Sequence, residues 1–257
     1  MFVPVIALLV TPQVEFPGGE QAAMMLLRWV HFIAGVTWVG LLYFFNLVNV
    51  PFMQELDPEA RVMVIPKLMP RALWWFRWSS VVTVLVGLAY WGQIVGADAR
   101  SAAAAGEPAS VGGLMASFFV IWTAAFAIEM GVLMSPAEVL RKPVVLGIIV
   151  AVVVVAASYL FLSLNQQGWE SNRTLAIGVG GGLGWFMMFN VWGLIWRMQK
   201  KMIRWAEASA ADGSPLPPEA ARLARLTFLC SRVNFWLSFP MLFFMGAASH
   251  YGMFVGK

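Results

Sequence analysis

The chain has 257 residues, of which 60% are hydrophobic and only 12% charged, with a formal net charge of +4. A soluble domain carries about 25% charged residues, so these charges cannot cover a water-facing surface of this size, and lipid is the implied solvent. The excess charge sits in loop Lys and Arg rather than in a basic stripe on a soluble domain, which argues against nucleic-acid binding. A single cysteine, Cys230, excludes an intrachain disulfide, a Cys-rich zinc or iron–sulfur site and a Cys-x-x-Cys-His haem attachment.

Residues 1–20 open with a short apolar run, Phe2 to Val10, followed by Pro12 and Pro17-Gly18-Gly19. The run is too short to span about 30 Å of hydrocarbon. It lacks the basic start and small-residue cleavage pattern of a signal peptide. An interfacial segment or a partner-binding arm is expected there, with residues 21–257 forming one transmembrane domain.

Six longer apolar runs follow, at about residues 22–50, 73–95, 113–134, 144–164, 174–196 and 228–254. Each is long enough to cross a bilayer, and spanning segments of this kind must be helical because lipid cannot satisfy open backbone groups. The expectation is an all-α polytopic bundle of six transmembrane helices. Residues 97–112 and 206–221, rich in Ala, Gly, Ser and Pro, read as mobile loops.

The loops after the first, third and fifth runs hold Arg61, Lys67, Arg71, Arg141, Lys142, Arg197, Lys200, Lys201, Arg204, Arg222 and Arg225. The opposite side holds Arg100, Arg173 and Lys257. The positive-inside rule then puts the three basic loops in the cytoplasm and both termini outside.

The fifth run contains Gly178, Gly180, Gly181, Gly182 and Gly184. No strand precedes it, so it reads as a seam for close helix packing rather than a phosphate loop. Pro240 is expected to bend the sixth helix.

The chain has two histidines, His31 near the outer end of the first run and His250 near the outer end of the last. The topology puts both at similar depth on one side of the membrane. Gly35 lies one turn deeper than His31, and Gly246 one turn deeper than His250. Two imidazoles backed by residues without side chains suit a flat macrocycle with two axial ligands, a six-coordinate b-type haem. Arg28, one turn outside His31, is placed to meet a propionate. Copper is an alternative, with Met245 or Met253 as a soft ligand. Interfacial histidines bonded to water or lipid, with Arg28 snorkelling to phosphate and no cofactor, account for the same residues. Glu129 is the only acidic residue deep in a run. A pair with Arg77 or Arg232 is expected, and a proton or quinone site is the alternative. Asn46, Asn49, Asn190 and Asn234 are candidates for interhelical hydrogen bonds.

At His31-x-x-x-Gly35-x-x-Trp38-x-Gly40, Leu73-Trp74-Trp75-Phe76-Arg77-Trp78 and Ser231 through Tyr251, the chain resembles the membrane domain of the bacterial urate hydroxylase, or urate oxidase N-terminal, family. The helix 1 motif is also similar to haem-binding protoporphyrinogen oxidase and copper-resistance membrane proteins. The urate-type resemblance implies a redox subunit of a bacterial inner membrane. It also implies enzymatic urate hydroxylation in members that carry a cytochrome c domain. This chain has no Cys-x-x-Cys-His, so electrons would pass to a separate cytochrome or another electron-transfer membrane subunit. The rival expectation is a cofactor-free accessory subunit of a larger respiratory or photosynthetic complex.

Overall fold

A computed structural model describes residues 17–254. The interfacial reading of the N-terminal segment falls mainly on residues 1–16, outside that range. Six helices long and apolar enough to cross a membrane are present among the described residues: α1 Gly19–Glu55, α2 Pro58–Ala104, α3 Val111–Met134, α4 Pro143–Asn165, α5 Asn172–Asp212 and α6 Ala220–Ala247. No strand accompanies them among the described residues. The chain is thus an all-α, multi-pass membrane protein.

The helices extend well past the apolar runs. Only Leu56 and Asp57 interrupt the path from α1 to α2, both with extended ψ angles of 140° and 152°. Pro58 imposes that conformation on the residue before it, then occupies the first turn of α2, where its missing N–H costs nothing. Arg61 Nη2 donates to the Leu56 carbonyl at 3.1 Å, satisfying the end of α1. The 47-residue α2 continues through Pro66 and Pro70 and ends at Ala104. The expected loop at 97–112 is therefore shortened to a few residues, because its alanines are strong helix formers. The linker expected at 206–221 is shortened likewise. Here α5 runs to Asp212 and stops at Gly213, whose φ of 72° is the left-handed conformation that ends a helix. Ser110 and Ser171 cap α3 and α5, accepting from the Gly113 and Thr174 N–H groups at 3.2 Å each. The sixth helix passes through Pro240 unbroken.

The central helix is α5, with Leu175, Ala176, Val179, Leu183, Phe186 and Met187 all buried. Its glycines receive side chains from three different neighbours. Phe161 of α4 fills the place of a Gly178 side chain, and Trp122 of α3 that of Gly182. Phe244 Cβ of α6 would lie 3.0 Å from a Cβ at Gly180. The glycine run is thus a packing seam. Two helices carry a π-helical turn, Phe44–Asn49 in α1 and Asn190–Ile195 in α5.

Candidate functional site

His31 lies on the face of α1 that packs against α2. Its Nδ1 is 2.8 Å from the Thr83 carbonyl oxygen. A carbonyl only accepts, so Nδ1 carries the hydrogen and Nε2 of the neutral ring keeps its lone pair. The ring is held close to α2 by Gly87, where a Cβ would come within 2.8 Å of the His31 Cε1. Neither Thr83 nor Gly87 was visible as a partner from the sequence, since nothing local pairs residues fifty positions apart.

The setting of His250 is different. It occupies the turn after α6 and is exposed. Asn172, the first residue of α5, fixes this tail. Its Nδ2 donates to the Ala248 and Tyr251 carbonyls at 3.2 and 2.7 Å, and its Oδ1 accepts from the Met253 and Phe254 N–H groups at 2.7 and 2.9 Å. That clamp, absent from the sequence reading, anchors the His250 segment to α5.

The two histidines share a common reference further along the bundle. Tyr43 Oη lies 3.1 Å from Ser238 Oγ, joining α1 to α6. His31 lies twelve residues before Tyr43 and His250 twelve residues after Ser238, and since α1 and α6 run antiparallel, both lie toward the same end of the bundle. None of the hydrogen bonds or ring contacts among the described residues joins His31 to His250.

The paired glycines behave differently from one another. A Cβ on Gly35 would meet Thr83 Cγ2 at 3.7 Å, an ordinary contact, so Gly35 faces α2. Nothing lies within 4 Å of a Cβ on Gly246, which faces open space. Arg28 places its guanidinium 5.7 Å from the Phe32 ring centre.

The expected charge cluster of Glu129, Arg77 and Arg232 is not assembled as ion pairs among the described residues. Glu129 Oε1 instead accepts from Asn190 Nδ2 at 3.0 Å. The same amide nitrogen donates to Asn234 Oδ1 at 3.0 Å, and Asn234 Nδ2 donates to the Met187 carbonyl at 3.0 Å. Arg77 lies over the Trp196 ring at 3.8 Å, while Arg232 lies 5.1 Å from the Phe228 ring centre and 5.6 Å from that of Phe235. Aromatic faces take the place of the carboxylate for both cations. Glu129 Oε2 and Asn190 Oδ1 are buried without a partner. Asn46, on the π turn of α1, makes a second polar contact, donating to Ser231 Oγ at 2.9 Å.

The arrangement therefore offers two kinds of chemistry. One is a half-buried imidazole with a free, oriented Nε2. The other is an amide-bound carboxyl in the apolar core. No group of three or more His, Cys, Asp or Glu side chains suited to a metal ion is present among the described residues.

The family model described as urate oxidase N-terminal matches residues 56–257. No curated protein and no solved structure matches the chain. The matched region takes in five of the six helices, the Glu129–Asn190–Asn234 chain and His250, and begins after His31. On a match of that extent, the chain belongs to the urate oxidase N-terminal family.

Proposed function

We propose that this membrane subunit is a redox protein of a bacterial inner membrane. In this reading it binds haem b between His31 and His250 and hands electrons to a separate cytochrome or electron-transfer subunit. The observation that carries the reading is the His31 Nδ1–Thr83 carbonyl contact at 2.8 Å. Metal-ligating histidines characteristically donate their other ring N–H to a fixed acceptor, which sets both tautomer and ring orientation. His31 and His250 would be the axial ligands, and Arg28 would pair with a propionate once released from Phe32. Haem so bound supplies one-electron exchange at the iron. The Thr83 carbonyl holds the ligating tautomer of His31. Asn172 fixes the stretch of backbone that carries His250, in the turn after α6. Both termini lie outside in this reading, so the histidine end faces away from the cytoplasm. Urate oxidation, if retained, would be completed by the separate acceptor.

Visible spectra of the full chain, purified in mild detergent and recorded oxidised and then reduced, test the reading. A Soret band is expected, shifting on reduction and lost in both His31→Ala and His250→Ala while the variants keep their helical circular dichroism and monodisperse elution. A colourless wild-type protein from haem-replete cells overturns the haem assignment in favour of the accessory-subunit reading. A band that survives both substitutions overturns the ligand assignment.

A further inference from the structure

A separate feature lies between α4 and α6, along the faces that these two helices leave open to the surface. Between them runs an apolar cavity of about 570 Å³ with α5 as its floor. Leu146, Val150 and Val154 of α4 line one wall, Phe228, Trp236 and Phe244 of α6 the other, and Leu183 of α5 the base. On α4 the cleft extends from Pro143 to Ser158. Fifteen residues of helix rise about 22 Å, more than half of the roughly 30 Å hydrocarbon layer. An extended acyl chain of one leaflet fits along such a cleft.

At the Pro143 end the cleft meets a second cavity of about 730 Å³. Pro143 lines both. This second space is walled by Arg141 and Lys142 ahead of α4 and by Arg222 and Arg225 in the first turns of α6, against the single carboxylate Glu138. Phe228 links the two spaces. Arg225 lies 5.6 Å from its ring centre on one side, and Arg232, which lines the apolar cleft, lies 5.1 Å away. The fold brings these cations together from the start of α6 and from the turn before α4, about eighty residues apart. A polar anion-binding mouth thus opens onto a long apolar slot at the edge of the bundle.

We infer that this composite cleft binds one anionic phospholipid, its phosphate-bearing headgroup among Arg141, Lys142, Arg222 and Arg225 and an acyl chain along α4 and α6. A basic pocket between transmembrane helices at the membrane surface is suited to an anionic headgroup, and the excess of cations over carboxylates distinguishes it from a site for neutral lipid. The apolar slot distinguishes it from a site for free phosphate. It also rests on residues other than those of the proposed haem site.

The test uses the full chain in detergent, titrated separately with phosphatidylglycerol, phosphatidylcholine and inorganic phosphate, and read by native mass spectrometry and thermal melting. Phosphatidylglycerol is expected to bind and raise the melting temperature well above the effect of phosphatidylcholine, and inorganic phosphate to leave it unchanged. Removing two cations in Arg222→Gln/Arg225→Gln should weaken phosphatidylglycerol binding about twenty-five-fold, at about fivefold for each charge near an anionic headgroup. Ala151→Trp, at an exposed position of the slot, should block both lipids while leaving the basic mouth intact. Equal binding of the two lipids, equal stabilisation by inorganic phosphate, or phosphatidylglycerol binding unchanged in both variants overturns the proposal.

Discussion

At the scale of single residues, space decides more here than charge. Gly182 and Gly184 lie on the same helix two positions apart, yet they face different surroundings. A methyl group at Gly182 would enter the indole of Trp122, which is fully buried. At Gly184 the same methyl would meet Met241 Sδ at 3.7 Å, an ordinary contact with a flexible side chain. Gly182→Ala is therefore expected to lower stability by about 1–3 kcal/mol through overpacking. Gly184→Ala should be neutral or stabilise by about 0.5–1 kcal/mol, because alanine is the better helix former. Melting curves of the two variants in the same detergent check the contrast, and equal destabilisation would show that helix spacing rather than the Trp122 ring sets the limit. The sequence displayed the glycine run but could not say which glycine met which helix. That depends on rotations of α3, α4 and α6 about α5 that no local pattern encodes. His31 illustrates the same limit. Its place in an apolar helix was legible, whereas Thr83 and Gly87 were not.

At the scale of elements, the long helices and their π turns position the buried polar groups. The six spans were legible because a run of about 20 apolar residues has one stable answer in lipid. Their ends were not, because Ala-rich and charged stretches such as 97–104 and 197–212 are helix-forming without being apolar. Residues 197–212 keep Ile203 and Ala206 buried while their Lys and Arg face outward, so the helix continues as an amphipathic extension. Asn190 opens the π turn of α5 and is fully buried. Its amide nitrogen serves both Glu129 and Asn234, tying α3, α5 and α6 together at one point. Replacing it leaves two buried acceptors without a donor, each costing about 1–3 kcal/mol if unrelieved. Asn190→Ala is thus expected to destabilise by at least about 1 kcal/mol, and Glu129→Leu in that background to restore part of the loss by removing the orphaned carboxyl. A double-mutant cycle on Asn190 and Asn234 should give a coupling of about 0.5–1.5 kcal/mol, the range for interhelical hydrogen bonds in membranes. Strict additivity would mean that the two amides act independently.

At the scale of the whole molecule, orientation connects the two ends of the bundle to their surroundings. The basic mouth beside Arg141 and Arg225 lies at the starts of α4 and α6, and the histidines lie at the start of α1 and beyond the end of α6. Antiparallel helices joined by short turns put these features on opposite sides of the membrane. The eleven Lys and Arg of the α1–α2, α3–α4 and α5–α6 connections and their flanking turns outnumber the three on the other side. Loops this short follow the positive-inside bias, so the basic end should be cytoplasmic. The prediction can be checked in intact cells with a membrane-impermeant maleimide. Cys230, the single native cysteine, is buried, and Cys230→Ala provides a background without a thiol. In that background Ala105→Cys, in the α2–α3 turn, should react before lysis, and Ser214→Cys, in the α5–α6 turn, only afterwards. The reverse pattern would turn the bundle over. The histidines would then face the cytoplasm, and a cytochrome on the outer side could no longer accept electrons directly from that end. On the proposed redox reading, the labelling therefore decides in which compartment the electron acceptor would lie.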